Sequence, residues 1–190
     1  MFFEDRVSEP KFPSLPADLE RLALTGRATD AQFAQNPLPV AEAMGIGLAV
    51  VHQQPAQGDL ASATTAEVQA GIDALNRLGP NDVPPAPFTR VRPEVLLETL
   101  QVVPPASAPV PTHGAPIVGH AVLDKSQVRF DNAVPGLDPP ERDLAIAMRS
   151  ISETFTSEVS LTFLDAYIEA GGSEPSVIAL DWYGLVAAFR

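Results

Sequence analysis

The chain has 190 residues, of which 45% are apolar and 19% are charged, and its formal net charge is −12. These values allow a core in one domain, or in a domain with appendages, and they argue against overall disorder. The acidic balance, without a cluster of Lys or Arg, argues against direct binding to nucleic acid or an anionic membrane, and the absence of cysteine excludes disulfides and thiolate metal sites.

Residues 1–16 predict an extended arm, because repeated prolines block regular structure. Aromatic residues lie between the prolines and would be costly to leave in water: Phe2, Phe3 and Phe12. The arm is therefore expected to dock on its own domain or on a partner. The segment has no basic stretch followed by a long apolar run, so we expect a protein that is not secreted by a signal peptide. We place it in the cytoplasm or in a particle assembled there.

Helices are predicted through the first half of the chain. Residues 16–26 read as a short helix that ends at Gly26. Residues 39–55 contain an apolar segment that fits a helix or, over 45–53, a strand, and periodicity does not decide between them. Thr64 and Glu67 have capping-box spacing, which predicts a helix at about 65–78.

Half of the twenty prolines fall within residues 80–118. We predict a Pro-rich strap there, with a short helix near 93–101, between a first region at 1–79 and a last region at 119–190. The two outer regions can form one domain. The segment 103–119 is stiff and apolar rather than rich in Gly, Ser and charge, so it is predicted to dock on a surface of this chain or another.

The remainder predicts a β-hairpin near 117–130 followed by helices. Asp138 is expected to cap the first of these, with Glu141 in its first turn. Residues 157–171 fit a helix better than a strand at 158–164, and Ser173 is expected to cap the last helix. The fold class is therefore α+β and mainly helical, with about five to six helices, one small hairpin and long extended Pro-rich arms.

Few residues indicate chemistry. His113 and His120 are weak metal candidates, since zinc needs three or four ligands, and packed or surface histidines explain them better. Gly45 and Gly47 lack the rest of a dinucleotide fingerprint, and a tight helix–helix contact or a bend explains them better. No nucleophilic serine motif is present. We identify no catalytic residue, no cofactor and no small-molecule substrate.

The missing motifs, the low charge and the proline arms favour a non-catalytic assembly protein, a subunit of a virion, a tail-like particle or another complex. Its partners would be other protein subunits, in a homo- or hetero-oligomer. The alternatives are a small acidic binding protein (an immunity protein, chaperone or adaptor) and a metal-dependent enzyme that uses the histidines. Besides the three aromatic residues of the arm, the residues expected to contact partners are Val110, Ile117, Trp182, Tyr183 and Phe189.

Overall fold

A computed structural model describes residues 26–56, 58–79, 82–124 and 127–189. Within these ranges the chain forms one single-turn helix, six longer helices and five short strands. The helices are α1 Ala31–Ala34, α2 Pro37–His52, α3 Thr64–Asn76, α4 Pro93–Gln101, α5 Pro140–Thr154, α6 Ser157–Glu169 and α7 Val177–Ala187. The strands are β1 Gly26–Arg27, β2 Val110–Thr112, β3 Ala121–Asp124, β4 Gln127–Phe130 and β5 Gly136–Asp138. The prediction of a mainly helical α+β fold is confirmed. The aromatic residues of the N-terminal arm lie outside the described ranges.

The predicted hairpin is present but shorter than expected. Strands β3 and β4 pair in antiparallel register, with Ala121 opposite Phe130 and Asp124 opposite Gln127. β1 pairs with the other edge of β3, while β2 and β5 form a separate antiparallel pair. Residues 117–120, predicted as strand, instead lead into a 3₁₀ turn at Val118–His120. The hairpin therefore begins at residue 121 and returns the chain to the end of that turn.

Two hydrophobic clusters form the core. The first joins α2, α5 and α6 to the hairpin, and its fully buried members include Met44, Leu48, Ile151 and Phe163. The second joins α3, α4 and α7, and its buried members are listed here: Leu75, Leu96, Leu100, Ala145, Trp182, Tyr183, Leu185 and Val186. Helix α5 contributes to both clusters, so it is the central element of the described part of the chain.

Both segments that were open between helix and strand are helical. Residues 45–52 belong to α2, and residues 158–164 belong to α6. The two helices pack closely at Gly45, where a Cβ would overlap the carbonyl oxygen of Phe163 and lie 2.9 Å from the backbone nitrogen of Tyr167. The interpretation of Gly45 as a close helix–helix contact is confirmed.

This contact predicts an unusual response to alanine. In an unconstrained helix, Gly→Ala is favourable by about 1 kcal/mol. For Gly45→Ala we expect a loss of about 1–3 kcal/mol in the free energy of unfolding, because the new methyl group meets backbone that can move only by separating α2 from α6. Urea denaturation followed by the fluorescence of Trp182 measures the change. Gly184→Ala in α7 is the matched control, because a Cβ there meets no atom within 4 Å. Equal effects at the two positions would contradict this account.

The Pro-rich segment contacts its own chain. Val110 in β2 pairs with Asp138 in β5, and the backbone nitrogen and the hydroxyl of Ser107 donate to Glu141 at 3.1 and 2.6 Å. These contacts do not show the extended arms that the sequence predicted. In the described residues no helix is long and apolar enough to cross a bilayer.

Candidate functional site

The first turn of α5 carries charged side chains into the interior. Glu141, Arg142 and Asp143 are 0%, 2% and 0% exposed, and Asp138 just before them is 0% exposed. Charges buried to this extent need ionic and hydrogen-bonding partners. Each of the four has them in this structure, and most of the partners are distant in sequence.

Asp143 holds the backbone of the segment that follows β2. Its Oδ2 accepts a hydrogen bond of 2.6 Å from the backbone nitrogen of His113, and its Oδ1 accepts one of 3.0 Å from that of Gly114. Gly114 has φ +86°, and a Cβ there would overlap the carbonyl oxygen of Val134. Residue 114 must therefore be glycine for the chain to make this turn onto the carboxylate.

A histidine from α2 completes the environment of Asp143. The Nε2 of His52 lies 3.4 Å from Asp143 Oδ2, and its Nδ1 lies 2.9 Å from the hydroxyl of Tyr167. Since a carboxylate only accepts, His52 Nε2 carries a proton. Burial raises the pKa of Tyr167, so its hydroxyl stays protonated at neutral pH. The position of the 113–114 backbone is thus set jointly by α2, α5 and α6.

We call residues 113–120 the central loop. His113 is buried with its ring 5.3 Å from that of Phe130, and burial lowers its pKa, which favours the neutral imidazole. His120 Nδ1 donates to the carbonyl oxygen of Ala115 at 2.9 Å. The backbone nitrogen of Val118 donates to Ser150 Oγ at 3.0 Å, which attaches the loop to α5. The central loop is therefore fixed at both ends and in its middle.

The hairpin brings an acidic residue back to this loop. The backbone nitrogen of Asp131, directly after β4, donates to the carbonyl oxygen of His120 at 2.8 Å. Arg27 reaches the same place, with Nη1 3.1 Å from the carbonyl oxygen of Gly119 and Nη2 3.5 Å from Asp131 Oδ2. The carboxylate of Asp131 is thus engaged by a cation at the loop's end.

A cavity of about 250 Å³ adjoins the central loop. Its lining is Ala115, Ile117, Ile146, Arg149, Ser150, Glu153 and Ala187. Arg149 Nε donates to Glu153 Oε1 at 2.8 Å, one helical turn further along α5. We call this the loop cavity. Its lining combines four apolar side chains with the Arg149–Glu153 ion pair.

The other buried charges stabilise the same region. Arg142 makes two hydrogen bonds to the carboxylate of Glu67, at 2.8 and 2.6 Å. Asp138 accepts hydrogen bonds from the hydroxyls of Ser62 and Thr64 and from the backbone nitrogen of Ala63. Burial alone would raise the pKa of Asp138, but these hydrogen bonds outweigh it and the pKa is lowered.

These contacts correct three capping predictions. Asp138 does not cap α5, whose first residue is Pro140, because its carboxylate binds residues 62–64 instead. Thr64 and Glu67 form no capping box, since they bond to Asp138 and to Arg142. The last helix is capped by Ser176 rather than Ser173, and begins at Val177. In the first two cases a partner distant in sequence replaces the local one, whereas Ser176 is a local cap that accepts from the backbone nitrogen of Ala179.

The structure places the remaining predicted site residues as follows. His113 and His120 are the two ends of the central loop, where His120 contacts the carbonyl oxygen of Ala115, and Ile117 lines the loop cavity. Trp182 and Tyr183 lie in the second hydrophobic cluster, where Trp182 Nε1 donates to the carbonyl oxygen of Thr99 at 3.0 Å. Phe189 packs against that cluster and Val110 lies in β2. Contact of these residues with another protein stays a prediction.

Sequence reasoning missed the buried group on α5 and the role of the central loop. For the segment from His113 to His120, the sequence predicted only a docking strap and weak metal ligands, because its contacts to α5 join residues about 30 positions apart.

No protein family and no curated protein matches the sequence. Among solved structures, the fold is similar to an aminoglycoside-3'-phosphotransferase of type VIII, with a TM-score of 0.61 and 22% identity over 82% of this chain and 62% of that one. The fold is also similar to a choline/ethanolamine kinase family protein from Mesorhizobium loti, with a TM-score of 0.54 and 15% identity over 78% of this chain and 48% of that one. A macrolide 2'-phosphotransferase type I is similar with a TM-score of 0.51 and 24% identity, over 78% of this chain and 50% of that one.

The fold is therefore that of small-molecule phosphotransferases and kinases, and the chain spans about half to three-fifths of the length of these structures. This finding overturns the prediction of a non-catalytic assembly subunit of a virion or tail-like particle. It likewise gives no support to an immunity protein, a chaperone or an enzyme built on a histidine metal site. The prediction was wrong because it rested on missing motifs and on composition, neither of which reports the fold.

Proposed function

We propose that this chain is the acceptor-binding part of a kinase-like phosphotransferase fold, and that it holds a hydroxyl-bearing small molecule in the loop cavity, which we therefore call the acceptor cavity. The observation that carries the proposal is the attachment of the central loop to the buried Asp143, directly beside that cavity. A loop held at both ends presents its side chains at a defined place, which is what phosphoryl transfer requires of a protein.

By spacing, the central loop corresponds to the H-R-D-x-x-x-x-N loop of protein kinases. It keeps the histidine as His113 and departs from the pattern at three positions, Gly114, Ala115 and His120. In protein kinases the Asp of H-R-D-x-x-x-x-N accepts the substrate hydroxyl's proton, and the Asn helps to hold magnesium. Here the corresponding residues are Ala115, which has no proton acceptor, and His120, whose Nδ1 is occupied by the carbonyl oxygen of Ala115. We therefore expect ligand binding to be retained and chemical transfer to be slow.

The described residues also do not fit the metal–nucleotide complex that such a fold implies. Magnesium prefers several oxygen ligands in octahedral geometry. Asp131, the acidic residue next to the loop, is paired with Arg27. In the ranges that the structure describes, no group of three or more His, Cys, Asp or Glu is placed to hold a metal ion. We assign no step to a metal in this chain.

The similar structures define a panel of compounds for the test. Kanamycin, choline and erythromycin represent aminoglycosides, choline-type amines and macrolides, and calorimetry would measure their binding to the full chain. We expect at least one to bind, with amide chemical-shift changes concentrated at residues 114–118 and 150. Absence of binding by all three, or shifts confined to other parts of the chain, would refute the proposal.

A cavity-filling variant sharpens this test. Ala187 lines the acceptor cavity at the end of α7, so Ala187→Leu should weaken binding at least tenfold by occupying the space. Ala70→Leu is the matched control, because Ala70 is exposed on α3. Thermal unfolding of both variants separates loss of the cavity from loss of the fold. Equal affinity in the Ala187→Leu variant and the unaltered chain would place the ligand elsewhere.

A further inference from the structure

A second, larger cavity lies on the other side of the Arg149–Glu153 ion pair. Its volume is about 650 Å³, within the range of pockets that enclose drug-sized ligands. It opens where the two hydrophobic clusters meet: Met148 packs on the first cluster, Phe88 on the second, and Leu180 on both. We call it the junction cavity. It is separate from the acceptor cavity, although Arg149 and Glu153 border both.

Gly184 provides a second observation. It lies inside α7 and lines the junction cavity, and a Cβ built on it meets no atom within 4 Å. Glycine within a helix is less favourable than alanine, since its backbone loses more freedom on folding. The other described glycines within helices face close neighbours: Gly45 faces α6, Gly47 faces Val128, and Gly71 faces Leu100. Packing among the described residues explains those three glycines and does not explain Gly184.

The polar groups at the border of the cavity are few and informative. Among the described residues, buried Arg149 Nη1 has no hydrogen-bond partner, although Arg149 Nε is bonded to Glu153. A buried donor without an acceptor is costly, and an oxygen atom of a ligand would satisfy it. Asp181 and Glu153 add two carboxylates against the one guanidinium. The net charge of the border is therefore negative, which disfavours anionic ligands.

We propose that the junction cavity binds an apolar small molecule that carries a hydrogen-bonding oxygen or a cationic group and no negative charge. The apolar part lies against Phe88, Met148 and Leu180, over the open face of Gly184. The polar part lies at the border near Arg149 and Asp181. This site does not depend on the acceptor cavity, and it stands if the central loop binds nothing.

Two fluorescent probes test the apolar character of the site and its exclusion of negative charge. N-phenyl-1-naphthylamine and 1-anilinonaphthalene-8-sulfonate share one apolar body and differ by a sulfonate. Titration of the full chain should give saturable binding of the uncharged probe, and several-fold weaker binding of the anionic probe. Tighter binding of the anionic probe would overturn the proposal. So would a dissociation constant of the uncharged probe that is weaker than about 100 μM.

Substitution at Gly184 locates the binding. Gly184→Phe fills the cavity and should lower the affinity for the uncharged probe at least tenfold. Gly184→Ala should change this affinity less than threefold and should leave the midpoint of thermal unfolding equal or higher. Ala70→Phe, at an exposed position of α3, is the control for adding an aromatic ring. Unchanged affinity in a folded Gly184→Phe variant would overturn the assignment.

A surface variant keeps the test decisive if Gly184→Phe does not fold. Asp181 is exposed at the border, so Asp181→Asn should preserve the fold. This substitution should raise the affinity for the anionic probe several-fold and leave the affinity for the uncharged probe unchanged. If neither affinity changes, the probe does not bind at this border and the proposal fails. A chain that binds the uncharged probe but none of kanamycin, choline and erythromycin would refute the acceptor cavity alone.

Discussion

Asp143→Ala is expected to lower the free energy of unfolding by about 3–5 kcal/mol, which is the range observed when one partner of a buried ionic group is removed. The carboxylate is 0% exposed and accepts from two backbone nitrogens of the central loop. Its removal leaves the nitrogens of His113 and Gly114 buried without this acceptor. It also removes the carboxylate that faces His52 and Arg142. Urea denaturation monitored by Trp182 would measure the loss.

Two further variants separate the parts of this effect. Asp143→Asn keeps the shape and one carbonyl oxygen, so we expect a smaller loss of about 1–3 kcal/mol, the cost of an unsatisfied buried polar group. Asp165→Ala removes an exposed carboxylate of α6 and should change stability by about 0.5 kcal/mol or less.

Hydrogen exchange gives a local measure of the same bond. In Asp143→Asn, which we expect to fold, the amides of His113 and Gly114 should exchange faster relative to those in the middle of α2. Uniform changes over the chain would mean that Asp143 contributes to general stability and does not hold the loop. An Asp143→Ala variant as stable as the unaltered chain would contradict the ionic network itself.

Local patterns were sufficient for most of the secondary structure. The helix at 93–101 was predicted with the observed ends, and the helices at 65–78 and 157–171 were placed within two residues, because their apolar spacing and their Pro or Gly boundaries are encoded nearby. The segment 45–53 could not be decided locally. Gly45 and Gly47 weaken a helix taken alone, and only packing against α6 and β4 makes them favourable.

The candidate site could not be predicted in the same way, because its partners are far apart in sequence. Glu141 lies in the first turn of α5 as predicted, but its oxygens accept from Ser107 and from the backbone nitrogen of Ser176, which no local pattern indicates. Asp143 is 91 residues from His52, and no pattern of period 2 or 3.6 connects them. The proposed role of the central loop was missed for a different reason: under the proposed correspondence, Ala115 and His120 stand where the kinase loop has its Asp and Asn.

The replacement at position 115 predicts a large defect in catalysis. Protein kinases turn over at about 1–100 s⁻¹, and a positioned general base contributes about 10²–10⁴-fold. Under the proposed correspondence Ala115 cannot accept a proton, and the described residues do not fit a metal–nucleotide complex. Any residual transfer from ATP to an acceptor that binds this chain should therefore be slower than about 1 s⁻¹. Ala115→Asp places a carboxylate at the wall of the acceptor cavity and should raise the rate at least tenfold. Mass spectrometry of the phosphorylated acceptor would measure both rates.

Ala115→Asn is the matched control for this experiment, because it has the size of Asp without its basic carboxylate. If proton acceptance limits the rate, the Asp variant is faster and the Asn variant stays at the level of the unaltered chain. Equal gains in the two variants would mean that the added side chain positions the acceptor and does not remove its proton. Turnover of the unaltered chain within the ordinary kinase range would show that the proton is accepted elsewhere, and the correspondence between Ala115 and the kinase aspartate would then be wrong.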